Sequence, residues 1–180
     1  MDAAHSRLIL TSRLEAEISK SGKYAMPLGT KERAATADIN ETLLSGICAG
    51  TTIMTLDGEM PVEHLSVGDR VITRDSGMAV LRAVKSESIR TQTIRIKAGS
   101  LGHTRPDRDM IVAPQAQIHI RDWRAEALFG ATAAIVSADR LVDGEYLAFQ
   151  ENADVTLYTL EFDRQHIVYA DGIEMASAVI

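Results

Sequence analysis

A chain of 180 residues is long enough for one domain plus an extension, and it can bury a core without disulfide or metal staples. Its 46% apolar and 24% charged fractions exclude a disordered composition, and no apolar run approaches the roughly 20 residues of a transmembrane helix. A net charge of −6 with a pI near 5.4 argues against nucleic acid or a membrane as partner, because phosphate binding calls for a concentrated basic surface.

Between Met1 and Lys20, the residues Leu8, Ile9, Leu14 and Ile18 have spacings that fit a short amphipathic helix. Arg7, Arg13, Glu15, Glu17 and Lys20 interrupt the stretch, so it lacks the continuous apolar segment of a secretory signal. The default location is therefore cytoplasmic, with export by another route left open. From Ser21 to Leu44, Gly22, Pro27, Gly29 and many small polar residues read as a linker, with a helical turn over 38–44 capped by Asp38 or Thr36. Residues 1–44 are expected to form a helix-and-linker extension, and residues 45–180 the folded domain.

From Gly50 onward the texture changes to short β-rich runs. The run from Thr51 to Thr55 meets Asp57-Gly58, a pair that favours the positive φ angles of a two-residue hairpin turn. Arg70 to Arg74 lies between Gly68-Asp69 and Asp75-Ser76-Gly77. Met78 to Ile89 is long enough to bend, and Thr93 to Lys97 alternates until Gly99 and Gly102 break it. Further strands are expected from Met110 to Val112, Gln117 to Ile120, Tyr146 to Gln150, Val155 to Phe162 and Ile167 to Ala170. Ser137 to Val142, followed by Asp143-Gly144, reads as a short helix with a serine cap and a glycine stop. Many short strands at this spacing predict a mainly β fold, a sandwich or a curled, barrel-like sheet.

Three segments carry a resemblance. Gly50-Thr51-x-Ile53-x-Thr55-x-Asp57-Gly58, continued by Pro61-Val62-Glu63-x-Leu65-x-x-Gly68-Asp69-x-Val71, resembles the opening motif of Hint domains, the fold shared by hedgehog autoprocessing domains and inteins. It looks most like the bacterial branch found in alphaproteobacteria. Asp109 to Gln115 is similar to the central motif of that branch, and Leu160 through His166 to Gly172 to the closing motif; together the three anchor residues 46–177. The resemblance implies a compact Hint-type fold of many short curved strands. It also implies a reaction in which a cysteine attacks the carbonyl just before it, converting a peptide bond to a thioester. That step needs a thiolate, a proton donor to the amide nitrogen, usually histidine, and a group to stabilise the oxyanion.

At each of these positions the chain departs from the pattern. The family cysteine stands four residues before the Gly-Thr pair, where this chain has Gly46. Cys48 lies two residues nearer, a displacement of about 6–7 Å along an extended strand. The Thr or Ser and the histidine of the central motif are Ala113 and Ala116. His119 comes three residues later, an odd offset that puts it on the opposite face of a regular strand. His166 has the spacing to Gly172 of the closing histidine of inteins, whereas the bacterial branch aligns with Gln165. The sequence from Glu174 to Ile180 lacks the asparagine whose cyclisation releases the tail of an intein, so splicing is not expected.

Cys48, His166 and His119 are thus the candidate catalytic residues. Each has an ordinary alternative, the cysteine as a small half-buried core residue and the histidines as structural hydrogen-bonding groups. His64 and His103 occupy polar, turn-like stretches and read as solvent-facing. The histidines match no metal-ligand spacing, one cysteine supplies no thiolate pair, and Gly99-x-x-Gly102 is too sparse for a phosphate loop; no metal or cofactor is expected. The basic clusters Arg105/Arg108 and Arg121/Arg124 are interleaved with acids and read as solvated faces. Trp123 reads equally as part of a contact surface or as a peripheral core anchor. Two functions compete. One is a Hint-type scaffold without efficient autoprocessing, acting as an interaction or structural module toward a protein partner or its own N-terminal segment. The other is self-cleavage before Cys48 through a thioester, assisted by His166 or His119.

Overall fold

Period-two burial organises the chain: in the strand Gln117–Ile120, Ile118 and Ile120 are buried while Gln117 and His119 stand half-buried on the other face. The computed structural model describes residues 45–102 and 104–180, so the helix and linker expected over 1–44, and His103, lie outside the described residues.

Three sheets share one core. In the first, β12 (Ala153–Phe162) pairs antiparallel with β6 (Ala83–Thr91) over nine residue pairs, from Ala153↔Thr91 to Glu161↔Ala83. Leu157, Tyr158 and Glu161 are already engaged there, so β1 (Ile47–Cys48) and β15 (Ala178–Val179) take the opposite edge of β12. The second sheet runs β10 (Ala134–Ser137), β9 (Gln117–Ile120), β14 (Ile173–Ala176), β13 (Ile167–Ala170), β2 (Thr52–Thr55), β4 (Arg70–Thr73) and β5 (Gly77–Val80), with β3 (Gly58–Pro61) hydrogen-bonded to β2. The third is β11 (Leu147–Phe149), β7 (Ile94–Ile96) and β8 (Met110–Val112). Ile53, Leu81, Ile94, Ile96, Leu147 and Phe162 are fully buried between them. Among the described residues no helix is long and apolar enough to cross a membrane.

Most expected strands are present, and the run from Met78 to Ile89 does bend, dividing at Leu81-Arg82 into β5 and β6. Strands β1, β10, β14 and β15 were not expected, and three further details differ. Thr55 pairs with Gly58, so the first hairpin turns on Leu56 and Asp57, and only Gly58 takes a left-handed φ, of 109°. The stretch after Ser137 is a single 3-10 turn, Ala138–Leu141, and the Ser137 hydroxyl bonds the Asp139 carboxylate instead of capping the backbone. The α-helix of the domain, α1 (Trp123–Phe129), lies where no helix was expected: Asp122 accepts from the Arg124 N–H at its start, and Gly130, at φ 65°, ends it. Trp123 projects from it 69% exposed, so it is no core anchor.

Phe162 fills the core where β12 ends and meets the His166 ring edge-on, with ring centroids 5.5 Å apart. Phe162→Ala is expected to lower stability by about 3–5 kcal/mol, the usual effect of emptying so large a core site. Urea unfolding would register this as a lower midpoint at unchanged slope. A loss below about 1 kcal/mol would show that the core does not depend on this ring.

Candidate functional site

Ser45 and Gly46 lead into β1, whose register places Ile47 opposite Tyr158 and Cys48 opposite Leu157. The approach is close. A Cβ at Gly46 would lie 2.9 Å from the Leu157 Cβ, 3.2 Å from the Tyr158 carbonyl oxygen and 3.3 Å from its nitrogen. These neighbours are backbone atoms or the Cβ fixed to them, so none swings aside as a flexible side-chain tip would. Where the Hint pattern has its cysteine, a side chain would force the β1–β12 pairing to shift. A cleft of about 180 Å³ opens alongside, lined by Gly46, Gln117, Tyr158, Thr159, Gln165 and Ser177.

Cys48 points into a small apolar cluster with Ala113 and Leu157, against which Ile89 and Val155 pack. Burial pushes its thiol up to about 11, and a backbone hydrogen bond with Ala113 offsets only part of that rise. At neutral pH the sulfur is a protonated thiol, the form that is a poor nucleophile. Ala113 and Ala116 are both fully buried, and the Ala116 N–H donates to the Ala113 carbonyl at 3.0 Å. The turn between β8 and β9 thus presents methyl groups where the family pattern has a hydroxyl and an imidazole.

His166 lies elsewhere, between β12 and β13. Its Nδ1 is 2.7 Å from Asp75 Oδ2 and 3.2 Å from the Ser76 hydroxyl. A serine–histidine–acid relay uses opposite ring nitrogens for its serine and its acid; here both partners face the same nitrogen. The Ile167 N–H donates to Asp75 Oδ1 at 3.0 Å, and the His166 N–H to the Ser177 hydroxyl at 2.9 Å. The arrangement ties the β4–β5 turn to the start of β13. Burial raises the Asp75 carboxyl, but the Ile167 N–H and the His166 ring outweigh it and hold the group below its ordinary range.

His119, on the face of β9 opposite Ile118 and Ile120, meets Glu174 with Nδ1 2.6 Å from Oε2. Glu174 was not singled out from the sequence, yet it organises this region. Buried in β14, it receives Arg121 through Nη2 at 2.7 Å and Nε at 3.2 Å, Arg105 at 3.1 Å and Arg74 at 3.0 Å. Burial raises its carboxyl, and Arg121, His119 and Arg105 together bring it below the usual range. Of the clusters read as solvated faces, Arg108 and Arg121 are exposed as read, whereas Arg105 and Arg124 are partly buried. Arg108 binds Asp171 at 2.8 Å and Arg124 binds Asp122, so all four guanidiniums are held by carboxylates. The one signal in the sequence was a glutamate within the otherwise apolar run from Ile173 to Ala176. Cys48, His166 and His119 thus occupy three environments with no shared partner among their described contacts. His64 is exposed, as read.

This architecture of many short strands is intein-like. The chain belongs to the Hint domain family, whose model its residues 46–180 match. Two solved structures share its fold. The bacterial intein-like domain from Clostridium thermocellum has 16% sequence identity and a TM-score of 0.50, with 74% of this chain and 98% of that chain covered. A splice-inactive variant of the AceL NrdHF class 3 split intein has 10% identity and a TM-score of 0.51, with 74% and 97% covered. No curated protein matches the sequence.

Two measurements follow from this geometry. Gly46→Ala is expected to cost roughly 1–3 kcal/mol in urea unfolding, the range for an overpacked contact; an unchanged midpoint would show that the strands separate easily. Asp75 and Glu174, with lowered folded pKa values, contribute stability that is complete above about pH 4.5 and is lost as pH falls through those values. The urea midpoint should therefore drop on acidification, and Asp75→Asn should flatten part of that drop. An equal drop in the variant would remove Asp75 from the account.

Proposed function

We propose that this chain is a Hint domain that keeps the scaffold and has lost efficient autoprocessing, and that it works as an interaction or structural module. The carrying observation is the glycine at position 46 in close contact with β12, where a Cβ would press on Leu157 and Tyr158. Ala113 and Ala116 support the same reading, because neither donates or accepts through a side chain. The partner in this reading is another protein or the chain's own residues 1–44. The features that resemble the alphaproteobacterial branch are the turn and core residues, which specify a scaffold and leave the chemistry to the site.

A second reading draws on one observation, the backbone hydrogen bond between Ala113 and the Cys48 sulfur. In that reading Cys48 Sγ attacks the Ile47 carbonyl carbon, the Ile47–Cys48 amide bond breaks as its nitrogen takes up a proton, and a thioester forms. Hydroxylamine would then release a fragment beginning at Cys48. Intact-mass analysis of the full chain, incubated at neutral pH with and without hydroxylamine, separates the two readings. The scaffold reading expects the full-length mass alone. Accumulation of the Cys48 fragment, abolished by Cys48→Ala, would contradict it.

A further inference from the structure

The β6 strand has one edge in a ladder and the other open. Among the described residues its only strand partner is β12. The Ala49 N–H donates to the Thr156 carbonyl, so Thr156 and, two residues on, Tyr158 direct their backbone groups toward β1. Their ladder partners Ser88 and Ser86 therefore turn their own N–H and C=O groups away from β12, and by alternation so does Val84. Lys85, Ser86, Glu87 and Ser88 are all exposed, and no described backbone group bonds this edge.

An open strand edge is a template for another strand, and charges along it usually keep strands away. On β6 the charges match a second β6. Two antiparallel copies related by a twofold axis must centre on a residue, because facing residues have to point their backbone groups the same way. Centred on Ser86, each copy sets Lys85 opposite Glu87 of the other, Val84 opposite Ser88 and Ala83 opposite Ile89. Centring on Glu87 opposes two carboxylates, centring on Lys85 opposes two ammonium groups, and centring on Ser88 leaves Lys85 against Thr91 and Glu87 against Ile89. In the Ser86 register, Val84, Ser86 and Ser88 exchange backbone hydrogen bonds with the other copy. The Lys85–Glu87 pairs then fall at the non-hydrogen-bonded positions, where facing Cα atoms approach to about 4.5 Å and side chains are closest. Lys85 contacts Glu161 of its own chain with its side chain still 70% exposed, and Glu87 has no ion pair among the described residues. We propose that β6 is a self-association edge, through which two copies of this chain pair antiparallel about Ser86 into one continuous β12–β6–β6–β12 sheet. The pairing requires only the β6–β12 ladder and stands apart from the Gly46 cleft.

The test is analytical ultracentrifugation of the full chain from about 10 µM to 1 mM, the range in which a small polar interface associates, with amide hydrogen exchange measured at both ends of that range. A monomer–dimer equilibrium is expected. Val84, Ser86 and Ser88 should gain protection as concentration rises, while Lys85 and Glu87, whose backbone groups face β12, stay constant. Glu87→Lys makes both cross-strand pairs repulsive and should weaken dimerisation about tenfold. Ser86→Pro removes the central N–H donor on the open edge and should abolish dimerisation. Glu145→Lys, the same charge change on an exposed loop, should leave it unaltered. Glu87→Lys changes an exposed side chain, so it keeps the test decisive if Ser86→Pro does not fold. Three results would overturn the assignment: a chain that stays monomeric at the highest concentration, a dimer equally strong in Glu87→Lys, or protection of Val84, Ser86 and Ser88 that does not vary with concentration, as pairing within one chain would give.

Discussion

The second edge of β12 receives both ends of the domain. Where β1 arrives, Ile47 and Cys48 pair with Tyr158 and Leu157; where β15 leaves, Ala178 and Val179 pair with Glu161 and Phe162. Only Thr159 and Leu160 separate the two contacts along the strand. This pairing sets what the neighbouring atoms can do. It presses the Gly46 backbone onto Leu157 and Tyr158, turns Cys48 into the Ala113 cluster, and anchors Phe162 in the core just before the chain bends toward His166. A side chain at Gly46 would force this close ladder to shift, so the crowding at that point is a property of the backbone.

The buried carboxylates Asp171 and Glu174 and the exposed Asp75 hold the loops around that frame. Asp171 accepts from the Thr52 N–H and hydroxyl and from Arg108, joining the β13–β14 turn to the first long hairpin. Asp75 joins the β4–β5 turn to β13 through Ile167 and His166, and Glu174 gathers Arg74, Arg105 and Arg121 from three separate segments. Desolvating a charge is costly unless it is paired and hydrogen-bonded, and each of these is. The histidines thus serve as partners of structural acids. His119 and His166 were singled out because imidazole is the usual proton donor in acyl transfer, yet each is hydrogen-bonded to a carboxylate, Glu174 and Asp75.

The strands were legible because the signal is local. Alternation in Gln117-Ile118-His119-Ile120 and the turn residues at Gly68-Asp69 and Asp171-Gly172 act over a few residues, and the same residues carried the resemblance to Hint domains. The odd offset of His119 from Ala116 likewise put it on the outer face of β9, where the structure has it. What escaped was long-range. Arg105, Arg121 and Glu174 are separated by up to 69 residues, so their convergence depends on the sheet order β9-β14-β13 and leaves no trace in spacing. The α1 helix was missed because seven residues are too few for a 3.6-residue period to stand out, although its Asp122 cap and Gly130 stop were both present. The tight approach at Gly46 was equally invisible: a glycine where a cysteine is expected says that a thiol is missing, and only the pairing with β12 says that a side chain there would be crowded.

Native-state hydrogen exchange at β1 tests this account most directly. The Ala49 N–H donates to the Thr156 carbonyl at 2.9 Å, and Ile47 and Cys48 lie in the ladder with β12. If the β1–β12 contact holds Gly46 against β12 permanently, these amides exchange only through global unfolding, with the same free energy and the same urea dependence as Leu160 in the core. Exchange of β1 through a local opening, well below the global free energy and insensitive to urea, would show that β1 parts from β12 in the native protein and would contradict the claim that the pairing crowds position 46.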